Sequence, residues 1–208
     1  MNNYAPILLF VYNRPEHLKQ LIASLQANAE AAQSMLFIYT DAARNKADEE
    51  QVNKVREVIR HIDGFASIEV VERATNWGLA RNIIGGVTEQ IRHYGRVIVL
   101  EDDLVVAPYF LRFMNDALEA YKDEPQVGHI QACDFTQDAS LPDTFLIKFT
   151  GSWGWATWDR AWKHFNPANV WRYEPPMPVF LAMRKHGVGP RAISSLRNVR
   201  KVENIWSC

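Results

Sequence analysis

The stretch "RVIVLEDDLVVAPYF", residues 96–110, combines an apolar run, three consecutive acids and a proline that opens a second apolar segment. The run from Val97 to Leu100 predicts a buried strand. Pro108, followed by apolar residues at helical spacing, predicts a helix directly after the acids. The stretch is therefore one strand-and-helix unit.

Three similar units precede it in the chain. Strand patterns at residues 6–12, 35–41 and 67–73 are each followed by a helical pattern, beginning near Pro15, Asp48 and Leu79 respectively. Four such units predict an α/β fold, a Rossmann-like α/β/α sandwich with a mostly parallel central sheet. After them, strand patterns at residues 127–133 and 144–149 follow without a helix between them, which predicts a mixed C-terminal part.

Composition excludes several classes of protein. The 208 residues are 48% hydrophobic and 23% charged with a formal net charge of −1, so no global basic field indicates a nucleic-acid partner. Two cysteines, Cys133 and Cys208, do not form the pattern of a disulfide-stapled secreted domain and favour a cytoplasmic location. The first apolar run is too short for a signal peptide or a transmembrane segment, and peripheral membrane association stays open.

The acids after the fourth strand form a candidate ligand site. Glu101, Asp102 and Asp103 repel one another unless a cation or hydrogen-bond donors separate their charges. Ligands of open α/β sheets bind at the carboxyl ends of the strands, where Asp41 and Arg14 are also expected. Carboxylates there suit Mg²⁺ or Mn²⁺ that also binds substrate phosphates. The alternative is a solvated turn.

A longer string around these acids resembles a known family. "VLEDDLVVAPYF" is similar to a motif of nucleotide-sugar glycosyltransferases of the GT-A fold, and most closely of bacterial relatives of the N-acetylglucosaminyltransferase I family. In that family an "EDD" triplet, a local form of the DxD motif, ends a strand. Asn13-Arg14 and Asp41 match two further family positions. The resemblance covers roughly residues 5 to 165, and it implies an α/β sandwich of GT-A type.

The resemblance implies a role for each matching residue. Asp103 would ligate the Mn²⁺ or Mg²⁺ ion. Glu101 and Asp102 would contact metal-bound water and the ribose or sugar of the donor. Asp41 would bind the uracil and Arg14 the diphosphate. Inversion at the anomeric carbon is implied by the resemblance as well.

The segment "FTGSWGWATW", residues 149–158, resembles the family's aromatic segment beside the donor sugar. Trp153 and Trp155, next to Gly154, lie on backbone that can approach a ligand closely, so all three are candidate donor-binding residues. Trp158 and Trp162 stand at helical spacing, which favours a place in the core.

The C-terminal segment is harder to interpret. We expect a nucleotide-sugar-binding domain over residues 1–165 and an irregular or helical acceptor-side segment over residues 166–208, possibly truncated at Cys208. The family's catalytic base lies in a Trp-containing segment, and Glu203, three residues before Trp206, is the candidate. A solvated ion pair of Glu203 with Arg200 or Lys201 is the favoured alternative.

The acidic triplet and the resemblance together predict a metal-dependent glycosyltransferase that uses a nucleotide-diphosphate donor, UDP by preference, and a glycan or other hydroxyl acceptor. Its inverting mechanism is implied by the resemblance alone. Arg81, in "RATNWGLARN", is either part of a turn before a helix or a further ligand of the donor phosphates. Two rival functions remain: a non-catalytic or truncated sugar-nucleotide or glycan-binding domain, and a sugar-phosphate nucleotidyltransferase. The second usually carries a Gly-rich basic phosphate loop, which "VYNRPEH" is not.

Overall fold

The computed structural model of the chain describes residues 4–133, 142–147 and 150–166. The chain divides into two compact units, Met1–Trp162 and Lys163–Cys208. Of the second unit only residues 163–166 are described. The expected acceptor-side role of residues 166–208 therefore stays a prediction, and the fold below is that of the first unit.

Strands and helices alternate through the first four units, as the sequence predicts. The strands are β1 (Ile7–Val11), β2 (Met35–Thr40), β3 (Ser67–Glu72), β4 (Arg96–Glu101), β5 (Ile130–Gln131) and β6 (Trp155–Trp158). The α-helices are α1 (Pro15–Gln26), α2 (Glu49–Ile59), α3 (Leu79–Tyr94), α4 (Phe110–Ala120) and α5 (Asp159–Trp162), with a short 3₁₀ helix at Ala31–Gln33.

The strands form a six-stranded sheet in the order β3-β2-β1-β4-β6-β5. β1 pairs in parallel with β2 and β4, and β2 in parallel with β3. β6 is antiparallel to both β4 and β5. The predicted α/β class is confirmed, with its mostly parallel sheet and a mixed part that the C-terminal strands supply.

Helices cover both faces of the sheet. Alternate residues of β1 point to opposite faces, so Ile7 and Leu9 pack with α1, α2 and α4, while Leu8 and Phe10 pack with α3. Gly86 brings α3 close to the sheet, since a Cβ there would lie 2.9 Å from the rings of Phe10 and Tyr39. The result is the expected three-layer sandwich, and it fixes β1, β2 and β4 in the middle of the sheet.

One local expectation is wrong: residues 144–147 form no strand, and Leu146 and Ile147 are exposed. The antiparallel partner of β4 is the tryptophan segment, β6. Trp158 is 5% exposed, so its expected place in the core is confirmed, although it lies in a strand. Within the described part of the chain, no helix is both long and apolar enough to cross a membrane.

Candidate active site at the carboxyl edge of the sheet

The three central strands end at one edge of the sheet and bring the predicted polar residues together. β1 and β4 are in register at Phe10 and Glu101, so the chain after β1 meets the acidic triplet. Arg14 stands at the N-cap position of α1, three residues after β1 ends. Parallel strands thus place Arg14 beside Asp102 and Asp103, as the sequence predicts.

Asp102 is the buried member of the triplet, 7% exposed. Its Oδ2 accepts a hydrogen bond of 3.0 Å from the backbone N–H of Tyr12, which ties the end of β4 to the end of β1. Burial raises the pKa of Asp102 above its usual value, while the Tyr12 hydrogen bond and the nearby Arg14 charge act in the opposite direction. This carboxylate therefore has a structural role in holding the loop that carries Arg14.

Asp103 is the exposed member. Its Oδ2 accepts a hydrogen bond of 2.7 Å from Arg14 Nη1, and the same nitrogen lies 3.8 Å from Asp102 Oδ1. The side chains of Arg14 and Asp103 are 35% and 45% exposed. One guanidinium thus neutralises two acids from the solvent side, and Asp103 can be reached by a ligand.

Glu101 is half-buried at the last position of β4. Its pKa is raised to about 7, first by burial and then by the adjacent carboxylates of Asp103 and Asp102, while Arg14 opposes the shift. The cluster therefore holds more negative charge than Arg14 alone compensates. An additional cation at this edge would relieve the repulsion.

Asp41 follows β2 and is 5% exposed. Its Oδ1 accepts hydrogen bonds from the backbone N–H groups of Ala42 and Trp77, both at 2.9 Å or less, and its Oδ2 accepts from Gly78 at 2.8 Å. These bonds fix the loop in front of α3. The expected contact of Asp41 with a base stays a prediction, and in this structure the side chain already binds three amides.

The tryptophan segment runs along β4. Gly154 has φ +64° and packs beside the Phe110 ring and Leu100, so Trp153, 56% exposed, lies near the end of β4. Trp155 is buried, and its ring stacks with His129 at 5.4 Å and with Trp162 at 6.1 Å between centroids. Trp153 is thus the more accessible of the two predicted sugar contacts. Donor binding by Trp153, Gly154 and Trp155 stays a prediction.

Sequence reasoning missed Asp48 as part of this edge. Its Oδ2 accepts a hydrogen bond from the Tyr12 hydroxyl at 2.9 Å, and its Oδ1 one from Asn13 Nδ2 at 3.2 Å. The Tyr12 hydroxyl in turn accepts from the backbone N–H of Arg44. The start of α2 therefore supports the loop of Arg14. In the sequence, Asp48 is recognisable only as an acid at the start of a helix.

Trp77 is a second residue that sequence reasoning did not single out. The Cζ of Arg73 lies 3.8 Å from the centroid of its ring and that of Arg81 lies 4.0 Å from it. Both guanidinium groups are close enough to the indole to gain cation–π attraction. Arg73 is held further by a hydrogen bond from its Nε to Asn82 Oδ1. The contact orients Arg81 at the start of α3.

The residues at the edge suit a metal ion that is shared with a phosphate ligand, and not one enclosed by protein side chains alone. Among residues 4–133, 142–147 and 150–166, no group of three or more His, Cys, Asp or Glu side chains is placed to hold a metal ion. A closed protein cage is therefore absent from the described part. Mg²⁺ and similar ions are often held by one or two carboxylates plus phosphate oxygens, and the exposed Asp103 beside Asp102 fits that mode. Glu203, the candidate base, lies outside the described residues.

Comparisons with known proteins give no family assignment. No family model matches the chain, and no curated protein matches it. Among solved structures the chain is similar to TarS of S. aureus, with 17% identity over 60% of this chain and 20% of that chain, at a TM-score of 0.39.

Two further structures show similarity of the same order. The mannosyltransferase PcManGT from Pyrobaculum calidifontis, solved with GDP-Man and Mn²⁺, has 15% identity over 65% of this chain and 37% of that chain, at a TM-score of 0.43. An active-site mutant of LgtC has 13% identity over 93% of this chain and 69% of that chain, at 0.45. The chain spans well under two thirds of TarS and of PcManGT. Similarities this distant do not by themselves assign an activity.

Proposed function

We propose that the chain is a metal-dependent glycosyltransferase of GT-A type. It moves a sugar from a nucleotide-diphosphate donor, UDP by preference, to a hydroxyl of a glycan or other acceptor, with inversion. One observation carries the proposal: Arg14 at the end of β1 contacts Asp103 at the end of β4, with 2.7 Å between Nη1 and Oδ2. A cation and an exposed carboxylate then meet where α/β sheets bind ligands.

The reaction requires departure of a nucleoside diphosphate. The acceptor oxygen forms a bond to the anomeric carbon, the bond from that carbon to the diphosphate oxygen breaks, and a base takes the hydroxyl proton. A divalent ion, when bound, stabilises the charge that develops on the diphosphate. Asp103 is the side chain that would hold this ion, and the Arg14 guanidinium suits the phosphate oxygens.

The remaining edge residues would orient the donor. Glu101 and Asp102 would contact ribose, sugar or metal-bound water, and Asp102 also fixes the Tyr12 backbone. Trp153 offers an exposed ring to sugar C–H groups beside Gly154 and Trp155. Asp41 would act on the base directly or through the loop that it holds at Trp77 and Gly78. Glu203 remains the proposed catalytic base.

A panel of nucleotide sugars tests this proposal by release of free nucleoside diphosphate. We expect UDP release from at least one UDP-sugar in the presence of Mn²⁺, and its loss in Asp103→Asn. Asp116→Asn is the matched control, because Asp116 is an exposed acid on α4. Donor binding without turnover for any acceptor would favour the binding-domain alternative. Diphosphate release from a nucleoside triphosphate would favour a nucleotidyltransferase and overturn the proposal.

A further inference from the structure

Arg14 and Asp103 form an ion pair, and a metal ion bound to Asp103 would compete with Arg14 for the carboxylate. Arg14 Nη1 donates to Asp103 Oδ2 at 2.7 Å, and Asp103 is the side chain that the proposed function, on which this inference rests, assigns to the metal. A metal ion about 2.1 Å from that oxygen would lie less than about 5 Å from the guanidinium nitrogen in any arrangement. Two cations this close repel each other, so Arg14 in this position weakens the binding of a metal ion to Asp103.

The surroundings of Arg14 fix its backbone and leave its side chain able to move. Its carbonyl oxygen accepts a hydrogen bond from the N–H of Leu18, which anchors it to the first turn of α1. Tyr12, two residues before it, is held by Asp102 Oδ2. The side chains of Arg14 and Asp103 are both partly exposed, and exposed ion pairs of this kind are weak. The guanidinium can therefore leave Asp103 without unfolding the loop.

The released guanidinium finds a new partner only when a diphosphate binds together with the metal ion. A metal ion that arrives alone removes the Asp103 partner of Arg14 and provides no replacement. A metal ion that arrives with a diphosphate brings oxygens that a guanidinium binds with two parallel hydrogen bonds. Metal and diphosphate should therefore bind with positive coupling, and Arg14 is the residue through which each favours the other.

We propose that Arg14 is an internal counter-cation of Asp103. It weakens binding of a divalent ion on its own and moves to the diphosphate when ion and nucleotide bind together. The same side chain thus opposes the metal alone and favours the metal–nucleotide complex. A merely structural ion pair would affect both ligands in the same direction.

The test measures binding of Mn²⁺ alone, by electron paramagnetic resonance of the free ion, and of UDP at saturating Mn²⁺, by calorimetry. In Arg14→Met we expect Mn²⁺ alone to bind about fivefold more tightly than in wild type. We expect UDP with Mn²⁺ to bind more weakly than in wild type, by about fivefold or more. Arg112→Met is the matched control, because it removes one exposed arginine of a surface ion pair with Asp116. The control should change neither affinity. Arg14→Gln, which keeps a polar side chain, replaces Arg14→Met if the latter does not fold.

The outcomes separate this inference from the proposed function. If wild type binds UDP with Mn²⁺ and Arg14→Met binds Mn²⁺ alone no more tightly than wild type, the counter-cation role is overturned and the proposed function stands. If Arg14→Met gains Mn²⁺ affinity while wild type binds no UDP under any condition, the counter-cation role stands and the nucleotide-sugar function fails. Absence of binding of Mn²⁺ alone to both proteins overturns the counter-cation role, and the proposed function is then decided by whether wild type binds UDP with Mn²⁺.

Discussion

Asp41 at the end of β2 accepts a hydrogen bond from the backbone N–H of Gly78, with 2.8 Å between Oδ2 and N. Gly78 is the N-cap residue of α3 and has φ +73°. A buried carboxylate at this position binds amides that the helix itself leaves without a partner, and its charge lies favourably at the positive end of the helix. The carboxyl edge of the sheet and the start of α3 are therefore joined by one side chain.

Replacement of Asp41 should destabilise the fold. Asp41→Ala leaves the amides of Trp77 and Gly78 without their acceptor, and we expect a loss of about 2–4 kcal/mol in the free energy of unfolding. Asp41→Asn keeps one acceptor oxygen and should lose about half as much. Urea unfolding measures both, with the exposed Asp116→Ala as control. Equal stability of Asp41→Ala and the control would show that these bonds contribute nothing.

Glu101 predicts a pH dependence of stability. Its pKa in the folded chain is about 7, above the ordinary value of 4.5, so the folded state binds the proton more tightly than the unfolded state. Stability contributed by this group should therefore decrease as pH rises from about 4.5 to about 7. The decrease is at most on the order of 3 kcal/mol. Glu101→Gln carries no titrating proton and should lose this decrease.

Urea unfolding of wild type and Glu101→Gln at pH 5 and pH 8, in EDTA, measures the effect. We expect the free energy of unfolding of the variant, relative to that of wild type, to be larger at pH 8 than at pH 5. The same difference between the two proteins at both pH values would show that Glu101 has an ordinary pKa in the folded chain.

The parts of the fold that sequence predicted well are those with local signals. β1 and β4 are continuous apolar runs, and their parallel pairing follows from the alternation with helices. The final strand could not be predicted this way, because Trp158 and Trp162 have helical spacing while pairing with β4 is a contact between distant segments. The apolar run at residues 144–149 predicts a strand, yet Leu146 is exposed.

The candidate site also has a part that sequence predicts and a part that it does not. The meeting of Arg14 with Asp103 follows from two parallel strands that end at one edge. The hydrogen bonds of Asp41 to Trp77 and Gly78 span more than 30 positions in sequence and depend on how α3 packs on the sheet. No local pattern indicates them.

Gly154 should not tolerate a side chain. Its φ of +64° is unfavourable for other residues, and a Cβ would lie 3.2 Å from the Phe110 ring. We expect Gly154→Ala to lose about 1–3 kcal/mol of stability. Gly128→Ala is the control, since its Cβ would meet Ala161 at an ordinary 3.6 Å. Thermal unfolding of the two variants gives the comparison, and equal melting temperatures would contradict the expected strain.

Calorimetric titration of UDP into wild type and Asp103→Asn, each with Mn²⁺ and with EDTA, tests the central claim most directly. Asp103 is partly exposed, so the variant should fold, and the substitution removes the charged carboxylate that a divalent ion prefers as a ligand. We predict that wild type binds UDP with Mn²⁺ at least about tenfold more tightly than in EDTA, and that Asp103→Asn loses this difference. Equal affinity of wild type with Mn²⁺ and with EDTA, or an undiminished difference in Asp103→Asn, would contradict the account.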